Sequence, residues 1–259
     1  MTAIIRVEGV SHWYGTGSKT EALRDIDLEI QRSEFVTLIG PSGCGKSTLL
    51  NLIGGLAEPS KGRIVVDGEE VQGPNPAKIA MMFQEYTLYP WRNLLRNVEF
   101  GLELKGVPKE RREEIAKKYV DLVGLSGFLD KLPSELSGGM KQRAALARSL
   151  TLETPILLMD EPFGALDEQT RIILGEELTR IWEKTKKTIL FVTHSLFEAA
   201  HLSDRVIVMS ARPATVKDVV RVDVPRPRDP NSPALDSARA KIWEQLQAES
   251  IKMVGLRTT

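Results

Sequence analysis

Gly40-Pro41-Ser42-Gly43-Cys44-Gly45-Lys46-Ser47-Thr48 satisfies every fixed position of the phosphate-loop pattern G-x-x-x-x-G-K-[ST]. The apolar run Phe35-Val36-Thr37-Leu38-Ile39 precedes it, and Ser47-Thr48-Leu49-Leu50-Asn51-Leu52-Ile53 follows with helical character. In that context glycines let backbone N–H groups turn inward and approach phosphate oxygens closely. The helix N-terminus itself contributes only about 0.3–1 kcal/mol toward an anion, rising to ~2 when partly buried. A triphosphate needs more, so Lys46 is expected at the β/γ oxygens and Ser47 on Mg²⁺. The stretch predicts a nucleotide site built from all nine residues.

The surrounding 259 residues are sufficient for a sizeable core, as one large domain or two small ones. Thirty-five basic and 35 acidic residues cancel, which argues against a dedicated nucleic-acid grip. A single cysteine, Cys44, excludes an internal disulfide and suits a reducing compartment. Residues 1–8 lack a signal peptide's long apolar centre, and no run of about eighteen apolar residues occurs. The expectation is a soluble cytoplasmic protein whose membrane role, if any, comes through a partner.

Ile4-Arg-Val and Leu28-Glu-Ile alternate apolar and charged residues, as half-buried antiparallel strands do. Ser11 to Gly17 reads as a polar loop bearing Trp13 and Tyr14. Gly54-Gly55 ends the helix that follows the phosphate loop, and 62–71 reads as a hairpin turning at Asp67-Gly68. Lys78 to Phe83 is a further strand, leading into the aromatic loop Glu85 to Trp91. From Leu94 to Leu150 the pattern becomes helical. Pro108 suits a first turn, Ile115, Tyr119, Leu122 and Val123 share a face, Gly124 is a plausible cap, and Glu113–Lys117 and Glu114–Lys118 have i,i+4 spacing. Strand–helix alternation resumes with Ile156 to Met159, a helix near 168–184, Thr188 to Val192, a helix near 197–202, and Arg205 to Met209. Pro225, Pro227, Pro230 and Pro233 mark a stiff connector before a helix carrying Leu235, Ala238, Ile242 and Leu246.

Chemistry collects where apolar strands stop. Gln84 follows Met82-Phe83, Asp160-Glu161 follows Leu158-Met159, and His194 follows Val192-Thr193. Open parallel sheets bind ligands at the carboxyl ends of their strands, so four strands deliver these groups and Lys46-Ser47 to one edge. Asp160 is expected on the Mg²⁺ side, and Glu161 against an attacking water as general base. His194 is expected to hold that water and the γ-phosphate, and Gln84 to offer its carbonyl oxygen to the metal. Leu136-Ser137-Gly138-Gly139 precedes a strong helix former; Ser137 is either a plain helix cap or part of a second anion site. A head-to-tail dimer reconciles a second phosphate-sized site with a single lysine-bearing loop.

With these residues assembled, roughly residues 4 to 225 resemble an ABC transporter ATP-binding subunit. Gly40–Thr48 is similar to the Walker A loop, Gln84 to the Q-loop glutamine, Leu136 to Gly139 to the signature, and Ile156 to Glu161 to Walker B with its catalytic glutamate. Ala165-Leu166-Asp167 is similar to the D-loop and His194 to the switch histidine, while Tyr14 falls at the adenine-stacking position, with Trp13 as the competing choice. Met140 departs from the glutamine often found there. The aromatic loop with Pro90-Trp91 and the segment Ser210-Ala211-Arg212-Pro213 resemble importers of the nitrate, sulfonate and taurine group.

The resemblance implies an α/β phosphate-loop NTPase (RecA-like) core sheet with an antiparallel β subdomain and an inserted α-helical subdomain at about 90–152. The whole would be a single ABC ATPase domain, with a connector and helix at about 225–259. It implies catalytic Glu161 and His194. ATP would be held by Tyr14, the nine loop residues, Gln84, Ser137, Gly138, Gly139 and Asp167, and Mg²⁺ by Ser47, Gln84 and Asp160. It further implies a homodimer beneath two transmembrane permeases at the cytoplasmic face of the membrane, fed by an extracytoplasmic solute-binding protein, with no nucleic acid. Tyr86, Leu88, Tyr89 and Trp91 would meet the permease. An ABC-type ATPase acting on nucleic acid or ribosomes is the alternative, although its usual coiled-coil inserts or tandem cassettes do not fit in this length. Cys44, at the phosphates, is expected to react with thiol reagents and to be protected by ATP.

Overall fold

The computed structural model describes residues 3–15 and 19–254. Long strands β1 (Ala3–Tyr14) and β2 (Thr20–Gln31) pair antiparallel, and β4 (Lys61–Val66) with β5 (Glu69–Glu70) completes a four-stranded sheet ordered β2-β1-β4-β5. The second sheet is ordered β10-β9-β3-β8-β7-β6. Its strands are β3 (Phe35–Ile39), β6 (Ile79–Met82), β7 (Ile156–Asp160), β8 (Thr188–Val192), β9 (Arg205–Met209) and β10 (Val216–Arg221). All its pairings are parallel except β10 on β9. Every residue of β3, β7 and β8 is buried, the consequence of a parallel sheet covered on both faces.

Alternation along these strands feeds two cores. Val36, Leu38, Ile156, Leu158, Leu190 and Val192 join the core that also holds α1 (Lys46–Ile53) and the inner face of the antiparallel sheet. Phe35, Leu157, Met159, Ile189 and Phe191 point the other way, into a core shared with α6 (Glu168–Thr185) and a helical arm. The arm comprises α2 (Leu94–Val98), α3 (Phe100–Leu104), α4 (Lys109–Leu122) and α5 (Gly138–Leu150). It lies between β6 and β7 in the chain. A third core joins β9 to α7 (Leu196–Leu202) and α8 (Pro233–Val254), where Leu235, Ala238, Ile242 and Leu246 are all buried.

Several local expectations are corrected. Ser11 to Tyr14 is not loop but the end of β1, with Tyr14 opposite Thr20 after a series of register shifts. Ser11 and His12 are buried there, so tertiary packing overrides their polarity; Thr16 and Gly17 lie outside the described residues. β10 had no expected counterpart, since Val-Lys-Asp-Val-Val-Arg shows little alternation and is held by its edge position on β9. On α4 the fully buried face is Ala116 and Val120, with Val123 just beyond; Ile115, Tyr119 and Leu122 flank it half-buried, and Pro108 caps the helix instead of opening its first turn. Glu113 pairs with Arg96 at 3.3 Å and Lys109 at 3.9 Å, and Glu114 with Arg111 at 2.7 Å, in place of the expected lysines. The 62–71 hairpin is as expected, with Asp67 (φ 52°) and Gly68 (φ 80°) supplying the two left-handed turn positions.

Candidate active site

β3 delivers the chain into a loop whose Gly43 and Gly45 have φ of 70° and 130°. Gly45 is the N-cap of α1, and a Cβ there would stand 2.8 Å from Leu23 Cδ2 and 3.1 Å from the Ala22 carbonyl. Only glycine meets both demands. The Lys46 ammonium, in a buried residue, donates to the carbonyls of Gly40 at 2.9 Å and Pro41 at 3.0 Å. Thr48 Oγ1 lies 3.1 Å from the Tyr14 hydroxyl, so the end of β1 reaches the start of α1 and the exposed Tyr14 ring stands beside the loop. Tyr14, not Trp13, makes that approach.

The loop forms one wall of a cavity of about 470 Å³, lined by Ser42, Gly43, Gly45, Lys46, Ser47 and Thr48. Gln84, Glu161, His194 and Arg212 line the rest of it. Glu161 sits at φ 46°, its N–H donating to Val192 O at 3.0 Å. One carboxylate oxygen, Oε2, accepts from Gln84 Nε2 at 3.4 Å and lies 3.4 Å from His194 Nδ1. The ends of β6, β7 and β8 thus meet through a single oxygen, as the strand-end argument requires. Asp160 closes β7 and is buried, with Oδ1 left without a partner. Burial pushes its carboxyl above the usual aspartate range, opposed by a hydrogen bond with Ser47. A buried carboxylate oxygen without a partner, beside a serine hydroxyl and at a phosphate loop, is a donor set that fits a hard divalent cation.

Other expected residues stand elsewhere. Ser137 is the N-cap of α5, its Oγ accepting from Met140 N at 3.3 Å, and neither it nor Gly138 and Gly139 lines the cavity. Asp167 caps α6, its carboxylate taken by the N–H and hydroxyl of Thr170 at 2.9 and 2.7 Å. Met140 is half-buried and packs on the arm's core. Cys44 overturns one expectation: its side chain is fully buried, and burial holds the thiol above its ordinary pKa. Cys44 therefore has only its backbone to offer a phosphate.

Sequence reading missed four side chains that hold this site. Gln142 Nε2 donates to the Glu161 carbonyl at 3.0 Å while Oε1 accepts from Ala165 N at 2.7 Å. Arg148, also on α5, donates to the carbonyls of Tyr86 and Thr87. Glu198 is buried beside His194's loop, accepting from Thr193 Oγ1 at 2.5 Å and pairing with Arg171 at 3.3 Å. Arg212 donates to Gly43 O at 2.9 Å. The available signal was a polar residue, Gln142, among the buried alanines and leucines of α5.

A larger groove of about 660 Å³ opens between β6 and the arm, lined by Met81, Phe83, Thr87, Tyr89, Phe100, Leu104 and Arg148 among others. Trp91 is 74% exposed beside it, its ring 5.6 Å from that of Tyr89. Leu88, expected at the same surface, instead packs against the arm's core.

A family profile described as ABC transporter matches residues 23–164. The chain is 52% identical over 253 residues to an uncharacterized ABC transporter ATP-binding protein of Methanocaldococcus jannaschii, covering 97% of this chain and 94% of that one. The chain belongs to the ABC transporter family. This ABC ATPase is also 41% identical to an aliphatic sulfonates import ATP-binding protein of Bacillus cereus, over 94% of this chain and 96% of that one. Its identity to a nitrate import ATP-binding protein of a Synechocystis species is 48%, over 82% and 79%. Among solved structures, a dimeric ATP-binding cassette in a post-hydrolysis state bound to ADP and Pi superposes with a TM-score of 0.79 at 32% identity, over 85% of this chain and 99% of that one. The fold is that of ABC ATPase cassettes, and no helix of the described residues is long and apolar enough to cross a membrane.

Proposed function

We propose that this ABC ATPase drives import of a small oxyanion or organosulfur solute, in the nitrate, sulfonate and taurine range. It would act as a head-to-tail homodimer under two permeases at the cytoplasmic face, fed by an extracytoplasmic binding protein. The observation that carries the reading is an asymmetry within one chain. Lys46, Glu161, Gln84 and His194 line one cavity, with the buried Asp160 behind it on Ser47, whereas Ser137-Gly138-Gly139 bares a helix N-terminus that does not line it. A second copy can supply that helix end, and the similar cassette bound to ADP and Pi is dimeric.

In this mechanism Lys46 exchanges the Gly40 and Pro41 carbonyls for β/γ oxygens, and the amides of Gly43, Gly45, Ser47 and Thr48 turn on the phosphates. Tyr14 stacks on adenine. Ser47, Asp160 and Gln84 would hold Mg²⁺, which would supply charge neutralisation at the phosphates. Glu161 takes a proton from the attacking water while His194 orients that water and the γ-phosphate. Ser137, Gly138 and Gly139 of the second copy close over the γ-phosphate, with Asp167 at the junction. The groove around Tyr89 and Phe100 receives an apolar permease element, and Trp91 covers it.

The test is ATP hydrolysis by the complex purified with its permeases and binding protein, offered nitrate, ethanesulfonate or taurine. Stimulation by one of these is expected. Stimulation by nucleic acid instead, or by no solute of this class, would overturn the assignment.

A further inference from the structure

The loop Ser210–Thr215 between β9 and β10 lies against the phosphate loop, far from it in sequence. It is braced from two directions. On one side Ala214 N donates to Ala22 O at 3.0 Å, and Arg24 N to Ala214 O at 2.9 Å, tying it to β2. On the other, Ala211 N donates to Oε2 of the buried Glu249 of α8 at 3.0 Å. Across the loop itself, Ser210 N donates to Thr215 O at 3.0 Å, and Thr215 N to Ser210 Oγ at 2.9 Å. Main-chain hydrogen bonds thus fix the residues on both sides of Arg212.

From this mount Arg212 reaches the cavity, where Nη2 donates to Gly43 O at 2.9 Å. The residue is otherwise exposed. A single carbonyl uses one of the guanidinium's five N–H donors, which lie in a rigid planar fork suited to phosphate. Among the described residues that line the cavity, the only other lysine or arginine is Lys46, already holding two carbonyls, and Glu161 adds negative charge to the lining. A polyphosphate entering this space would face one committed ammonium, a carboxylate, and an arginine with donors to spare.

We propose that Arg212 is a direct phosphate ligand of the bound nucleotide, keeping Gly43 O with one donor and turning the others onto phosphate oxygens. The proposal rests on the nucleotide-site reading above. It adds a second cation to the site from a loop that the phosphate-loop pattern does not contain. Because the Arg212 side chain is exposed and its loop is held through main-chain bonds, substitution should leave the fold intact.

The experiment is equilibrium binding of Mg²⁺–AMP-PNP, ADP and adenosine to the full chain at several salt concentrations, with melting temperatures followed alongside. Arg212→Gln is expected to weaken AMP-PNP and ADP by about ten-fold, the size of one charge-assisted hydrogen bond, without changing adenosine binding. It should also flatten the salt dependence, since one cation no longer meets the phosphates. Arg212→Lys should restore the salt dependence and part of the affinity. Lys46→Ala is the control for the site itself. If it leaves AMP-PNP binding unchanged, the nucleotide-site reading falls and Arg212 with it. If Lys46→Ala abolishes binding while Arg212→Gln stays within about two-fold of wild type, only the Arg212 proposal falls. A ten-fold loss with unaltered salt dependence would make Arg212 a brace of the Gly43 carbonyl and overturn it equally.

Discussion

The Gln142 side chain holds the main chain of Glu161, donating to its carbonyl at 3.0 Å, and with its other end accepts from Ala165 N at 2.7 Å. Gln142 belongs to the helix capped by Ser137, so the element proposed to serve a neighbouring copy's nucleotide also fixes the proposed general base of its own. Glu161 needs such restraint, because its φ of 46° is uncommon for a residue with a side chain. Gln142→Ala is expected to lower kcat about ten-fold with little change in ATP affinity, and to cost about 1–3 kcal/mol of stability through the loss of two hydrogen bonds. Steady-state ATPase assays and urea unfolding check both. Unchanged kcat would show that Glu161 keeps its place unaided.

Glu161→Gln should lower kcat by about 10²–10⁴-fold, the range for loss of a positioned general base, while ATP still binds. The same variant with ATP should run as a dimer in light scattering, and Ser137→Arg in that background should stay monomeric. Near wild-type hydrolysis would remove Glu161 from the chemistry.

Asp160 gives a pH prediction. Its carboxyl is raised by burial, so the folded chain binds that proton more tightly than the unfolded chain. Its contribution is therefore complete below the ordinary aspartate range and is lost as pH rises through its raised value. Asp160→Asn removes the cost of the buried charge, so without nucleotide this variant should melt higher than wild type near neutral pH. The gap should close toward pH 4. ATPase activity should be lost throughout, and a lower melting temperature at neutral pH would contradict the account.

The parts legible in sequence were those governed by local pattern. Phe35–Ile39 and Thr188–Val192 were read at their observed bounds, because a strand buried on both faces is apolar without interruption. The cavity's Lys46, Gln84, Glu161 and His194 were legible because each follows an apolar strand, although the one before Gln84 is only half-buried on one face. What escaped depended on distant partners. Ser11 to Tyr14 became strand through pairing with β2, β10 through its neighbour β9, and Arg212 joined the cavity through hydrogen bonds to β2 and α8. Cys44 was misjudged for a related reason: being in the phosphate loop does not say which way a side chain points.

Cys44 accordingly should react with a thiol reagent at least about ten-fold more slowly in the native chain than in denaturant, since the burial that excludes the reagent also keeps the thiol protonated. ATP should add little further protection. Rapid native labelling, blocked by ATP, would restore the exposed-thiol reading.

Arg148 lines the apolar groove and, from the same guanidinium, grips the Tyr86 and Thr87 carbonyls at 3.1 and 2.7 Å. Six residues earlier on that helix, Gln142 grips Glu161. An α-helix is stiff over two turns, so one rigid rod carries a grip at the groove and another on the main chain of Glu161. A push on either end of that rod is expected to be felt at the other, because its two grips are two turns apart on one helix.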